Sequence, residues 1–122
     1  MRKTIHFTRA EWNEKEVGLL SEHPVSLSKV TASGQMIVDS DQKAFVYLAE
    51  ENDEFIYLYI HESVWEELQK AMKQEVDLFA IGSDSRLSLT QWQEELSYLI
   101  SNIEGNSNYG EEMVEAVEKI FL

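Results

Sequence analysis

The chain has no cysteine, one proline, five glycines and no long apolar run, and each shortage closes off a class of protein. Without thiols there is no disulfide framework, no thiolate metal site and no cysteine nucleophile, which fits a reducing cytosol. With Pro24 alone and few glycines, the 122 residues leave little material for a linker. No stretch approaches the ~20 apolar residues of a membrane span, and residues 1–7 lack the apolar region of a signal peptide. The expectation is one cytoplasmic domain, residues 1–122, without membrane association.

Basic residues are scarce as well: ten Lys and Arg stand against 23 Asp and Glu, a net charge of −13. The imbalance is regional. Residues 1–43 hold six basic and six acidic groups, whereas residues 44–122 hold four and seventeen. Such a surface repels phosphate backbones and anionic lipid, so nucleic acid is not expected as a partner. A solubilising role explains the excess, and an acidic face for a basic protein partner is the sharper reading of it.

What the chain has in quantity is alternating apolar sequence. Phe55, Tyr57 and Tyr59 interleave with Ile56, Leu58 and Ile60, so both faces of that strand call for cover. Residues 45–48 repeat the pattern and the polar residues 50–54 make a turn, giving two adjacent antiparallel strands at the centre of the core. Before them, residues 4–8 read as a first strand and residues 9–13 as a polar connection. Residues 17–20 form a second strand, and Pro24 interrupts before residues 25–29 resume the two-residue period. Residues 32–34 supply a reversal, residues 36–38 a further strand and residues 39–42 a turn.

The period changes after His61. Ser63 and Glu66 have the spacing of a capping box, and Val64, Leu68, Ala71 and Met72 line one helical face. Residues 76–82 return to strand character, with a partner the pattern does not specify. Thr90 and Gln93 make a second box ahead of Trp92, Leu96, Leu99, Ile100 and Ile103, and Gly105 stands where a helix ends. Asn108 and Glu111 open a third helix carrying Met113, Val114, Val117, Ile120 and Phe121, so the last two helices form an antiparallel pair. The fold class that follows is α+β: an antiparallel, meandering sheet of about six or seven strands, one helix after the central strand and a C-terminal helix pair. A split sheet curled toward a barrel is the alternative.

Residues 94–100, EELSYLI, and residues 105–114, GNSNYGEEMV, resemble the C-terminal third of a small family of uncharacterised cytoplasmic proteins from Bacillus-like Gram-positive bacteria. The length and the acidic character fit that family too. It has no assigned activity, so the resemblance implies a bacterial cytosolic origin and contributes no catalytic residue.

Chemistry-bearing residues are few. His6, His23 and His61 lack the i, i+4 spacing of helical metal ligands and have no cysteine to complete a zinc set, so no metal site is assigned. His61 sits where the central strand meets a helix, a place for a general base or for a hydrogen-bonding strand end. Asp39 and Asp41 belong to a turn without the later Gly and Glu of a calcium loop. Residues 82–86 follow a strand and precede a helix, a place for anion binding, but carry no phosphate-loop motif. Asn106, Asn108 and Tyr109 concentrate amides and a phenol between two helices, which reads either as turn chemistry or as a ligand or partner contact. Trp12, Trp65 and Trp92 read as core anchors.

No catalytic residue and no cofactor follow from these patterns. The first functional expectation is a non-enzymatic interaction or regulatory module that meets an unidentified protein partner, or itself in a homodimer, through its acidic half. The second is a small-molecule-binding protein or minor enzyme with a pocket between sheet and helices, using His61, Tyr57 and Tyr109. A pocket with convergent polar groups favours the second; an exposed apolar patch ringed by acids favours the first.

Overall fold

The computed structural model describes residues 3–122. Its elements in chain order are β1 (Lys3–Asn13), β2 (Glu16–Ser21), β3 (Thr31–Asp39), β4 (Ala44–Glu51), β5 (Glu54–His61), α1 (Trp65–Gln74), β6 (Asp77–Ile81), β7 (Arg86–Ser88), α2 (Trp92–Ile103) and α3 (Glu111–Phe121). Among the described residues the seven strands form one sheet in the order β3-β4-β5-β1-β2-β6-β7. The sheet curls, bringing β3 against α2 and toward β7. The expected α+β class, the helix after the central strands and the C-terminal helix pair are all present.

The meander is not wholly antiparallel, because the sheet has two parallel seams. β1 pairs with β5 in parallel, Ile5 opposite Leu58 and Phe7 opposite Ile60. β2 pairs with β6 in parallel, Val17 opposite Leu78. Period-2 alternation fixes which face a residue takes and says nothing about the neighbouring strand, so the seams are invisible in the pattern. The long connection around α1 carries the chain from β5 past β1 and β2 to β6.

On the face that meets the helices, Phe7, Phe45, Tyr47, Leu58 and Ile60 are sealed from solvent together with Trp65 and Leu68 of α1, Leu96 of α2 and Val117 of α3. Phe45 lies 4.8 Å from the Trp65 ring and meets Phe121 edge-on at 6.0 Å. The opposite, outer face carries a second cluster, Ala44, Val46, Leu48 and Tyr59, with Tyr57 packed against it. Both faces of β4 are therefore covered, and those of β5 largely so from Ile56 onward, while Phe55 stays exposed.

Several local expectations give way to tertiary partners. Residues 9–13 are not a connection but the second half of β1, paired with β2 from Arg9 opposite Leu20 to Asn13 opposite Glu16. Polar residues suit this half because Arg9, Glu11 and Asn13 alternate outward, while the Trp12 indole donates to the Glu67 carboxylate on α1. Residues 25–29 are not a strand: Leu27 plugs the core, but its N–H goes to the Asp84 carboxylate and the Val25 carbonyl accepts from Ser83. Residues 32–34 make no reversal, and the β3 to β4 register slips there instead, between Ala32 and Gln35.

Neither capping box forms. The Ser63 hydroxyl donates to the Thr8 carbonyl, and α1 begins at Trp65 without a side-chain cap. The Thr90 hydroxyl meets the Tyr47 phenol, Gln93 donates to the Met72 carbonyl, and Gln91 precedes α2 at φ 60°. Asn108 does not cap α3, since Gly110, at φ 89°, holds that position. A three-residue 3-10 turn, Ser107–Tyr109, intervenes, and it is the Asn106 side chain that accepts from the Asn108 N–H. A short polar side chain takes whichever backbone group packing leaves nearest, and spacing alone cannot rank those choices.

Candidate functional site

The parallel seam between β1 and β5 builds the most distinctive chemistry on the molecule. His6 lies opposite Tyr59 in the register, which puts His61 diagonally across from it on the same outer face. The two imidazoles hydrogen-bond directly, His6 Nδ1 to His61 Nε2 at 2.7 Å, with rings 4.9 Å apart and inclined by 22°. The Tyr59 ring packs 4.9 Å from that of His6, and its hydroxyl donates to Asp39 Oδ2 at 2.8 Å. Asp39 is held in turn by the Gln42 N–H at the start of the β3 to β4 turn.

Beside this pair the loop after β2 swings back over the edge of the seam. It helps to line an open pocket of about 460 Å³ whose walls come from Thr4, Ile5, His6, Thr8, Ser21, Glu22, His23, Val25 and His61. That is within the usual size of a small-molecule site. All three histidines of the chain reach this wall. Pro24, which cannot donate to a ladder, ends the β2 direction and sets the loop that brings His23 there. Among the described residues no group of three or more His, Cys, Asp or Glu is placed to hold a metal ion.

Burial pushes the His61 imidazole below its ordinary pKa, the neighbouring His6 acts in the same sense, and Asp39 opposes both. The bond between the rings has a further requirement. One nitrogen must donate and the other accept, so a single hydrogen lies between them. A doubly protonated pair would point two N–H groups at each other.

The residues singled out in the sequence divide. His61 belongs to the site. Tyr57 shares its outer face but packs on the Ala44, Val46 and Leu48 cluster and does not line the cavity. Asn106, Asn108 and Tyr109 sit in the turn between α2 and α3, outside that wall, where the Asn106 amide donates to the Asn102 carbonyl and Tyr109 packs on the core. The histidine-lined pocket is not the one expected between sheet and helices: it sits at the edge of β1, where Thr4, His6 and His61 come from the outer face and Ile5 and Val25 belong to the helix-side core, while Trp65, Leu68 and Leu96 fill the space under the helices. Residues 82–85 lead into β7, which Arg86 opens, rather than into a helix, and Asp84 lies in that loop. It accepts from Ser26 at 2.7 Å and from the Leu27 N–H, and the Ser26 bond leads in lowering its pKa.

His6, His23, Asp39 and Tyr59 went unassigned as site residues in the sequence. The one available signal was phase: His6 shares the outward phase of β1 as Tyr59 and His61 share that of β5. Their meeting depends on the parallel seam, which phase does not reveal.

A curled α+β sheet with a histidine-lined pocket at the edge of β1 is the class these features define. Within it, the chain belongs to the UPF0738 family, a family of unknown function whose pattern matches residues 5–121. It is 45% identical over 98 residues to a UPF0738 protein of Bacillus cytotoxicus, covering 80% of each chain. It is 37% identical over 123 aligned positions to UPF0738 proteins of Geobacillus sp. (strain WCH70) and Bacillus cereus (strain G9842), spanning 100% of this chain and 99% and 100% of theirs. No solved structure matches it. The resemblance read from residues 94–100 and 105–114 thus extends along nearly the whole chain.

Proposed function

We propose that this protein is a small-ligand-binding module whose site is the cavity beside the His6–His61 pair. The supporting observation is convergence: three histidines from β1, β5 and the loop after β2 line one concavity of about 460 Å³. Between the two functional expectations, convergent polar groups and a lowered His61 pKa favour the pocket over the pure interaction surface. In this reading no catalytic step is assigned, the protein works in the cytoplasm, and its net charge of −13 argues against nucleic acid as a partner. No helix among the described residues is long and apolar enough to cross a bilayer.

One observation keeps a partner-docking or self-association role as a second reading. Phe55 is 48% exposed at the start of β5, opposite Glu50 and next to the Glu51–Glu54 pair, and Ile37, 39% exposed, lies opposite Val46 on the same outer face. Screening a fragment set by histidine side-chain NMR separates the two. Fragments that shift the His6, His23 and His61 ring signals, and lose that effect in His6→Ala, support the pocket. Fragments that act only on Asn106–Tyr109 signals, or a concentration-dependent dimer that shields Phe55, would sink it in favour of the second reading.

A further inference from the structure

We propose that the outer face of β3, β4 and β5, at its Phe55 end, docks a basic segment of a partner protein that sets an apolar side chain beside an arginine or lysine. The proposal goes beyond the pocket reading and stands apart from it. Phe55 and His61 lie at opposite ends of β5, about 20 Å apart at the ordinary rise of a strand. The three helices contribute their apolar residues to the inner core, and the outer cluster draws on β4 and β5 alone. That leaves the outer face without a covering layer. Half of the Phe55 ring stands in water, Tyr57 follows it on the same face, and Ile37 continues the apolar surface across β4. A joined patch of this kind is surface that a partner can cover.

Charge decides what covers it. Glu50 stands opposite Phe55 in the register, and Glu50, Asp53 and Glu54 share with Phe55 a shallow cleft of about 120 Å³. Among the described residues none of these three carboxylates has an ion pair or a side-chain hydrogen bond, whereas neighbouring Glu51 is taken by Lys3 at 3.2 Å. The turn holds them together: Asn52 and Asp53 both take positive φ, 53° and 63°, the two-residue hairpin geometry that fits the twist of its strands. An arginine or lysine head entering the cleft meets an aromatic ring and carboxylates at once, which a cation favours on both counts. An apolar side chain next to it in the partner then reaches Tyr57 and Ile37. A second copy of this chain fits worse, because apposing two such tips sets the same carboxylates against each other, with a charge of −13 on each chain. Nucleic acid and anionic lipid meet the same repulsion.

Amide NMR titration with a short peptide of alternating arginine and isoleucine tests the proposal. Its controls are the same peptide with glutamate for arginine, a peptide of alternating arginine and serine, and spermine. Expected are micromolar binding of the arginine–isoleucine peptide at low salt, shifts centred on Phe55, Tyr57 and Ile37, and weakening as salt rises. Phe55→Ser, at a half-exposed position, should keep the melting temperature and weaken that peptide about tenfold. The double variant Glu50→Gln, Glu54→Gln should weaken it too and flatten its salt dependence. The arginine–serine peptide and spermine should bind about tenfold less tightly, and the glutamate peptide not at all. Spermine binding as tightly as the arginine–isoleucine peptide marks a mere counterion cluster and overturns the proposal. So do a Phe55→Ser protein that binds like wild type, shifts confined to the His6, His23 and His61 rings, no peptide binding, or a dimer of the free protein that Phe55→Ser dissolves.

Discussion

The two faces of β4 and β5 are built from the same few residue types and reach burial by different routes. On the inner face, Phe45, Tyr47, Leu58 and Ile60 are covered by other elements, chiefly α1 and the C-terminal pair. On the outer face, Val46 and Ala44 are equally hidden, yet their cover is local: Tyr57 and Tyr59 of the next strand lie over them. Cover from helices seals a face wherever the helix lies, whereas cover from tyrosines ends where the tyrosines end. At that limit, on the seam with β1, the side chains become His6 and His61, and the surface turns from packing to chemistry.

The comparison breaks first on the inner face. Leu58 is wholly buried beneath the helices, so Leu58→Ala should cost about 2–5 kcal/mol in a reversible denaturant melt. A loss below ~0.5 kcal/mol would show that the inner face repacks freely. On the outer face, Tyr59→Phe keeps the ring over Val46 and removes the bond to Asp39. It should cost about 1–2 kcal/mol, a hydrogen bond to a charged group in a half-shielded place. Equal losses at the two positions would erase the distinction drawn between the faces.

A smaller effect sharpens the electrostatics of the seam. Because folding lowers the His61 pKa, the unfolded chain takes up its proton first as pH falls. Stability contributed by neutral His61 is complete above the unfolded value of ~6.5 and declines as pH falls through it toward the lower folded value. The wild-type melting temperature should therefore drop more steeply than that of His61→Gln between about pH 7 and 5. A variant that declines as steeply would assign the slope to other groups. Smallest of all is Asn108→Ala, expected within ~0.5 kcal/mol of wild type, because the side chain of Asn106 does the capping and Asn106→Ala should cost about 0.5–2 kcal/mol. Reversed magnitudes would restore Asn108 as the cap.

Legibility follows the same division. The strands around Phe45 and Phe55, the helical faces of Leu68, Leu96 and Val117, and the break after Ile103 were readable because burial imposes a period on the residues that form it. Residues 25–29 misled for the same reason: Leu27 faces inward as a strand residue would, but its N–H donates to Asp84 and its carbonyl accepts from Val30. The boxes at Ser63 and Thr90 failed because a hydroxyl with a carbonyl or a phenol in reach need not turn to its own helix. Of the residues that line the candidate site, only His61 was named as a candidate in the sequence. Its partners lie on another strand, and nothing in either strand's composition says that the two run side by side.

That distance along the chain has a kinetic side. His6 and His61 are 55 residues apart, whereas β3, β4 and β5 fold back on one another through short turns, as do β1 and β2. Loop closure is cheaper for the local hairpins, so the seam between β1 and β5 is expected to join two preformed pieces late in folding. The imidazole pair then forms only after the two pieces dock. In pulse-labelling hydrogen exchange, the amides of β1 that bond to β5 should gain protection after those between β4 and β5. The ring contact would serve as a built-in marker of the moment when the sheet becomes one.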